Sequence, residues 1–325
     1  MKFRRRDILH LSAGAVALPA VSRIAWADAY PSRPVRIVVG YPPGGVTDIV
    51  ARLIAPWLSE RLGQQFVIEN RPGASSNIAV EGIVRSPPDG YALFLLSATN
   101  TYNTTLYDNL NFDLSRDMAP VASIGRDAFV MVVNPSFPAK TGAEFIAYAK
   151  ANAGKLNMAT SGAGSASDLY GVLFKAMAGI NLVAVHYRGV GPALPDLISG
   201  RVDVMFPPLV SALGYIRAGT LRPLGVTTTT RRNVVPDVPP IGDFVPGYEG
   251  TDWTGISAPA NTPPETIAIL NKQVNAGLVD PTFKARLTDL GIEPFASSPA
   301  EFGKFIAEYT GKWSKVIRAA NIKPE

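Results

Sequence analysis

The chain has no cysteine and only two histidines, His10 and His186, among its 325 residues. Without cysteine there can be no disulfide framework, thiolate metal site, cysteine nucleophile or cysteine-linked lipid anchor. A metal site built on several histidines is excluded as well. A Ser-His-Asp triad would have to use His186, because His10 lies in a segment that we expect to be removed. The sequence therefore predicts neither a metal nor another cofactor.

No apolar run is long enough to cross a bilayer. The best candidate, residues 8–21, is short and is interrupted by Ser12, Gly14 and Pro19. It follows Arg5 and Arg6 and precedes an Ala-Trp-Ala cleavage site at residues 25–27. We interpret residues 1–27 as an export signal of the twin-arginine type, with the general export route as the alternative, and expect a periplasmic protein that begins near Asp28.

The excess of positive charge belongs mainly to this signal. Five of the 31 basic residues but only one of the 26 acidic residues lie in residues 1–27, so the rest of the chain is almost neutral. Nothing in it favours a nucleic-acid partner. The remaining length suffices for two ordinary domains, and we expect a monomer.

Strand and helix patterns alternate along the chain, which predicts an α/β fold in which each domain is a mixed, mainly parallel sheet flanked by helices. The expected strands are residues 35–39, 66–69, 92–96, 129–133, 156–160, 183–187, 202–206, 222–227 and 252–259. Capping boxes at Thr141, Thr262 and Ser298 predict helix starts. The terminal helix carries an apolar stripe that we assign to the core rather than to a binding groove.

Two irregular stretches suggest where the chain passes between domains. One begins at Asn134 after the strand at 129–133, and the other covers residues 231–250. We therefore expect domain 1 to contain residues 28–133 and 251–325, and domain 2 to contain residues 134–250. Two crossings of this kind form a hinge, and clefts at domain interfaces are favoured ligand sites.

Two glycine-containing loops occupy the same place in the two halves of the chain. Residues 41–48 follow the first strand and lead into a helix from about Thr47. Residues 160–168 follow the strand at 156–160 and lead into a helix from about Ser167. Glycines let backbone approach a ligand, and the free N–H groups and dipole of a helix N-terminus favour negative charge. The two loops predict a hinged cleft that closes on a small anion.

Other chemistries have weaker support. The segment from Gly162 resembles a dinucleotide fingerprint, but Ser167 replaces the third glycine and no convincing ribose-binding acid follows. Neither a P-loop nor a nucleophile elbow occurs. His186 is either a structural residue at a strand end or a ligand contact. Asp48 either stabilises a helix dipole or organises ligand binding, and Asp203 either holds a ligand ammonium group or a neighbouring backbone group.

Several segments together resemble the substrate-binding proteins of tripartite tricarboxylate transporters, the Bug or TctC-like family. They are residues 30–39, 42–52, 69–74, 87–91, 154–157 and 258–263. The resemblance implies a two-domain periplasmic binding protein of type II, without enzymatic activity, that closes on a small carboxylate and serves a membrane transporter. It also implies that backbone amides, hydroxyls and water hold the carboxylate.

The resemblance assigns a wall of the site to each domain. The first wall contains Tyr41, Pro42, Gly44, Gly45, Val46, Thr47 and Asp48, then Ser75, Ser76 and Asn77, then Ser97, Ala98 and Thr99. The second contains Ser161, Gly162, Ala163, Gly164, Ser165 and Ser167, with His186, Asp203 and Phe206 nearby. The chain departs from the family after Phe206, where Pro207 and Pro208 replace a common Asp or Asn, and this disfavours an amino-acid ligand.

Two other functions compete with a transport receptor. A binding protein of this kind could instead serve a periplasmic signalling system, and the sequence does not separate the two. A hydrolase or transferase that uses His186 or Asp48 is the third hypothesis. It requires a nucleophile within hydrogen-bond reach of the base.

Overall fold

A computed structural model describes residues 30–319 and 322 of the chain; the expected export signal and its cleavage site lie outside the described residues. The strands are β1 (Val35–Val39), β2 (Phe66–Asn70), β3 (Ala92–Ser97), β4 (Met118–Ala128), β5 (Val130–Val133), β6 (Asn157–Thr160), β7 (Val183–His186), β8 (Val204–Met205), β9 (Arg222–Val226), β10 (Thr251–Pro259) and β11 (Glu293–Pro294). The helices are α1 (Val46–Leu62), α2 (Asn77–Val84), α3 (Ala98–Leu106), α4 (Leu114–Asp117), α5 (Gly142–Ala151), α6 (Ala166–Ala178), α7 (Val190–Ile198), α8 (Leu209–Arg217), α9 (Pro264–Val279), α10 (Pro281–Asp289) and α11 (Pro299–Ala319).

The strands form two sheets. The first has the order β11-β4-β10-β3-β1-β2 and the second the order β7-β6-β8-β5-β9. The predicted α/β class with two helix-flanked sheets is confirmed. Parallel pairing is limited to β2-β1-β3 and β7-β6-β8, whereas β4, β10 and β11 pair antiparallel, as do β5 and its two neighbours. The predicted mixed sheets are confirmed, and antiparallel pairs are slightly more numerous than expected, because the crossing strands enter each sheet in the opposite direction.

The chain leaves the first sheet earlier than the sequence predicts. β4 ends at Ala128 and belongs to the first sheet, whereas β5 starts at Val130 and pairs with β8 and β9 in the second. Residues 130–133 thus pair within the second sheet, although the sequence assigns them to domain 1. The crossing is a nearly continuous extended segment around Phe129, so no proline or glycine marks it. The return at Thr251 starts β10 in the first sheet, close to the expected position.

Helices cover both faces of each sheet. On one face of the first sheet, α1, α9 and α10 enclose an aliphatic core with the strands. On the other face, α2, α3 and α11 share one continuous core with α5 and α6 of the second sheet. In α11 the side chains of Phe302, Tyr309, Trp313 and Ile317 are buried, as the stripe predicts. No helix within residues 30–319 combines the length and the apolar character needed to cross a membrane.

The capping box at Ser298 forms in full, and the one at Thr141 forms in part, because the Glu144 carboxylate accepts from the Lys140 amide rather than from that of Thr141. Thr141 accepts a hydrogen bond from the Glu144 amide at 3.2 Å, and Ser298 and Glu301 bond to each other's amides at 3.2 and 2.8 Å. The prediction at Thr262 is wrong. Its hydroxyl donates to the Pro259 carbonyl at 2.7 Å, and α9 begins one residue later than expected, at Pro264.

Candidate functional site

The loop before α1 is braced by a buried carboxylate. Asp48 Oδ2 accepts hydrogen bonds from the Gly44 amide and from Arg52 Nε, both at 2.9 Å, and Oδ1 accepts one from Asn70 at 3.0 Å. The same Asn70 amide group donates to the Tyr41 carbonyl at 3.0 Å. Burial alone would raise the pKa of Asp48, but the hydrogen bonds from Arg52, Gly44 and Asn70 together lower it. Of the two sequence alternatives, this geometry favours the organising role.

The start of α1 offers amides that the protein itself does not use. Gly45 is the N-cap residue and no side chain caps the helix. Among the described residues, no acceptor of the chain takes the amide hydrogens of Gly45, Val46 or Thr47. Because these amides and the helix dipole favour negative charge, the α1 N-terminus is suited to bind an anion.

The loop before α6 repeats the same brace. The Gly164 amide donates to Asp168 Oδ2 at 3.0 Å, which matches Gly44 and Asp48 in spacing and in geometry. However, this second loop uses most of its own donors. The Gly162 amide donates to the Thr160 hydroxyl at 3.3 Å and the Ser165 amide to the Gly162 carbonyl at 3.2 Å. The Ser165 hydroxyl caps the Asp168 amide at 3.3 Å and accepts from Ser161 at 3.0 Å.

The two loops therefore differ, although the sequence predicts two equivalent anion sites. In the second loop and the first turn of α6, the amides of Ala163, Ala166 and Ser167 have no acceptor among the described residues, whereas those of Ser165 and Asp168 are satisfied. Ser167 adds a fully buried hydroxyl that lacks a hydrogen-bond partner within the described part of the chain. We infer that the α1 loop provides the main carboxylate contacts, because its N-cap amide also lacks an acceptor among the described residues, and that the second loop contributes fewer.

Helix α3 connects several segments of the predicted site. Asn100 donates to the Ser76 hydroxyl at 3.1 Å, and Asn103 donates to the Ser75 carbonyl and to Asn77 Oδ1 at 2.8 and 2.7 Å. These bonds hold Ala74, Ser75 and Ser76 at positive φ angles of 45°, 50° and 79°. Such left-handed conformations are unfavourable for residues other than glycine and persist only where neighbours impose them.

The second loop lies against the far end of α3. A Cβ atom on Gly164 would lie 2.7 Å from the side chain of Leu106. One helix of the first sheet thus contacts the loop at 75–77 along its length and the glycine loop of the second sheet at its end. The structure brings together the segments around Ser75, Ser97 and Gly164, which are distant in sequence.

A pair of buried acids lies beside this region, and sequence reasoning missed both. Asp127 on β4 and Asp252 on β10 are directly opposite each other where the chain crosses between the sheets. Asp252 accepts the Trp253 amide at 2.7 Å and the amide of Ala98, the first residue of α3. An internal carboxylate therefore already fills the helix N-terminus at Ser97 to Thr99, where the sequence predicts ligand contacts.

Both acids hold their protons to unusually high pH. Burial, helped by the adjacent Asp252 carboxylate and opposed by Arg232, raises the pKa of Asp127 to about 8. Burial also raises the pKa of Asp252 to about 7, against the effect of its two backbone hydrogen bonds. Neither oxygen of Asp127 has a hydrogen-bond partner among the described residues. The sequence did contain one signal for Asp127, because Arg126 and Asp127 form a charged pair at the end of an otherwise apolar segment.

Tyr41 and Thr254 extend this polar patch. The hydroxyl of each is buried without a hydrogen-bond partner in the described structure. Burial raises the pKa of Tyr41 to about 12, with the nearby hydroxyls of Thr99 and Ser97 opposing the rise. Buried polar groups of this kind are usually satisfied, so the patch can take up a ligand group or an ordered water.

Three predicted site residues have structural contacts instead. The Asp203 carboxylate accepts the Asn157 amide at 2.7 Å at the start of β6, whereas the glycine loop follows the end of that strand. This position favours the second alternative for Asp203, in which the carboxylate holds a neighbouring backbone group. Phe206 is fully buried and packs on Phe174, with ring centroids 5.4 Å apart. His186 Nδ1 lies 2.8 Å from the Thr160 hydroxyl, which braces the start of the second loop.

Gly40 leaves no room for a side chain next to the site. A Cβ atom there would lie 1.8 Å from the Ser76 hydroxyl oxygen. We expect Gly40→Ala to destabilise the protein by about 1–3 kcal/mol, because Ser76 must shift from a packed position. Urea unfolding of the variant measures this. Gly214→Ala is the control, since its Cβ would meet open space on α8; equal stability of both variants would contradict the prediction.

The two helix-flanked sheets and the loops that meet at α3 define a solute-binding protein of the periplasmic type. The chain belongs to the tripartite tricarboxylate transporter family of receptors, whose family model matches residues 50–322. It is 31% identical over 311 residues to the protein BugT of Bordetella pertussis, with 95% of each chain covered. The predicted family is confirmed, and members of this family are periplasmic receptors.

Two solved structures that are similar to this chain contain bound ligands. Rpa4515 of R. palustris, solved with adipate, has a TM-score of 0.87 and 36% identity and covers 91% of this chain and 100% of its own. MatC from Rhodopseudomonas palustris, solved with malate, has a TM-score of 0.82 and 32% identity and covers 89% and 100%. Both ligands are small carboxylates.

Proposed function

We propose that this protein is a periplasmic receptor that captures a small carboxylate between its two sheets and delivers it to a tripartite tricarboxylate-type membrane transporter. The observation that carries the proposal is the uncapped start of α1. There the Gly45, Val46 and Thr47 amides have no acceptor in the described chain, beside a loop fixed by Asp48. The adipate and malate in related structures support the same ligand class.

The proposal includes export and binding without chemistry. Arg5, Arg6 and the Ala-Trp-Ala site at residues 25–27 support removal of residues 1–27 after export. The hydroxyl next to the ring of His186 belongs to Thr160, a fully buried residue that also holds the Gly162 amide. A buried hydroxyl committed to the loop is a poor nucleophile, which argues against the hydrolase alternative.

A thermal-shift screen of small carboxylates tests the proposal. A ligand that binds only the folded state raises its melting temperature in proportion to the logarithm of concentration. We expect at least one mono- or dicarboxylate, with adipate and malate as the first probes, to raise it. The matched controls are the uncharged amides of the same acids. A shift caused by an amide but by none of the acids would contradict the anion site.

The same ligand is expected to make the protein more compact. Each loop alone offers few contacts, so a second wall is gained when the sheets close on the ligand through the two crossings. Small-angle scattering with and without saturating ligand measures the change. We expect a smaller radius of gyration in the complex. An unchanged radius with proven binding would indicate a rigid site.

A further inference from the structure

A cavity lies at the crossings, on the other face of β4 and β10 from the Asp127 and Asp252 pair. It has a volume of about 440 Å³ and receives walls from both sheets. The first-sheet side contributes Arg126, Thr251, Glu293, Phe305, Glu308, Tyr309 and Lys312, and the second-sheet side contributes Thr228, Thr229, Thr230, Arg232 and Glu249. None of these residues belongs to the loops at 41–48 or 160–168. We call it the hinge cavity.

The two faces follow from strand geometry. Successive side chains of a strand point to opposite faces, and directly opposite residues of neighbouring strands share a face. Asp127 pairs with Asp252, whereas Arg126 pairs with Trp253, which packs on Phe305 of α11 at 5.5 Å between centroids. Arg126 therefore lies on the α11 side and the acid pair on the opposite side. The hinge cavity is separate from the proposed carboxylate site.

The carboxylates that line the hinge cavity each have a cation from the chain. Glu293 pairs with Arg232 at 2.7 Å and Glu249 with Lys312 at 2.8 Å. Glu308 lies 3.8 Å from Lys304. Arg126 is different, because no carboxylate of the described residues lies within 4.0 Å of it, even though Glu293 is its direct neighbour across strands β4 and β11. Within the part of the chain that the structure describes, the positive charge of Arg126 therefore has no carboxylate partner.

The guanidinium of Arg126 is nevertheless held in place. Its central carbon lies 3.9 Å from the ring centroid of Phe295 and 5.7 Å from that of Phe305. Stacking fixes the plane of a guanidinium and leaves the N–H groups at its edge free to bind both oxygens of a carboxylate or phosphate. No acceptor in the described chain takes an Arg126 side-chain hydrogen.

We propose that the hinge cavity is a second binding site, for a small oxyanion that Arg126 holds through its guanidinium edge. Thr229 and Thr230 line the cavity, and we propose that their hydroxyls serve as further donors. Its volume lies within the range of about 300–1,000 Å³ that is typical of small-molecule sites, so it has room for an organic carboxylate as well as for phosphate. An occupant contacts both sheets and therefore acts on the hinge.

Isothermal titration with inorganic phosphate and, separately, with benzoate tests the site. Three variants are compared with the intact protein. Arg126→Gln removes the guanidinium and its forked pair of N–H donors, Gly45→Val obstructs the α1 amides, and Arg61→Gln is the matched control. Arg61 also stacks on an aromatic ring, that of Trp57 at 4.4 Å, but it does not line the cavity. The probe that binds more tightly identifies the class of oxyanion.

We expect Arg126→Gln to weaken binding of the probe at least tenfold, and Gly45→Val and Arg61→Gln to leave it within twofold of the intact protein. Arg126→Lys, which keeps the charge but loses the fork, provides the test if Arg126→Gln does not fold and should weaken binding several-fold. Loss of binding in Gly45→Val alone would place the probe in the cleft and overturn the proposal. Failure of both probes to bind would overturn it as well.

Discussion

Gly45→Val is expected to weaken binding of the small carboxylate at least tenfold while lowering the melting temperature of the empty protein only slightly, because valine is a poorer N-cap residue than glycine. Gly45 has an ordinary φ of −79°, and the nearest heavy atom to a Cβ there is the Pro42 carbonyl oxygen at 3.9 Å. The valine side chain therefore fits without strain. It stands beside the amides of Val46 and Thr47 and hinders the approach of a ligand. Charge-assisted hydrogen bonds contribute about 1.5–3 kcal/mol each, so one lost bond suffices.

Isothermal titration with the carboxylate found by screening measures this effect. Arg188→Ala is the comparison, because Arg188 is the exposed cation that follows β7, and we expect it to change affinity less than Gly45→Val. Gly164→Val is a poor substitute. Its φ of +68° and its contact with Leu106 would strain the fold. Binding lost in Arg188→Ala but kept in Gly45→Val would contradict recognition by backbone amides.

Asp127→Asn is expected to stabilise the protein strongly at pH 8 and to flatten the fall of its stability with pH. The pKa of Asp127 is about 8 in the folded protein and ordinary, near 3.8, when unfolded. The folded state therefore keeps a proton that the unfolded state has released, and stability falls as pH rises through this window. One unit of pKa difference corresponds to about 1.4 kcal/mol, so the effect at pH 8 amounts to several kcal/mol.

Melting temperatures of the intact protein and of Asp127→Asn between pH 4 and pH 8.5 give the difference directly. The two proteins should be similar near pH 4, where Asp127 is protonated in the folded state and still partly protonated in the unfolded state, and should diverge as pH rises. Asp237→Asn, which removes an exposed carboxylate, controls for the change in net charge. A constant difference between intact protein and Asp127→Asn across this range would show that Asp127 does not hold its proton.

Local patterns were sufficient to predict most elements of the fold. The apolar runs at β1 and β3 and the signals at Thr141 and Ser298 indicated strands and helix starts correctly. The sequence gives no sign of β4, because Pro120, Gly125 and the charged pair Arg126 and Asp127 interrupt its apolar pattern. Tertiary pairing with β10 makes it a strand.

The candidate site was predictable in its positions but not in its hydrogen bonding. Glycines next to a helix start indicate where an anion can bind, and both loops were found in that way. Whether an amide remains free depends on neighbours such as the Thr160 hydroxyl and the Asp168 carboxylate, which act only through the folded geometry. For the same reason Asp252 at the start of α3 was missed, since it lies about 150 residues away along the chain.

A crystal structure of the mature protein with its carboxylate ligand tests the central claim most directly. We expect a carboxylate oxygen within about 3 Å of the amide nitrogens of Val46 and Thr47, with the ligand enclosed between the α1 loop and the loop at 161–165. The Gly44 amide should still bond to Asp48. A ligand held by the Arg188 or Arg126 side chain, with the α1 amides bound only to water, would contradict the account.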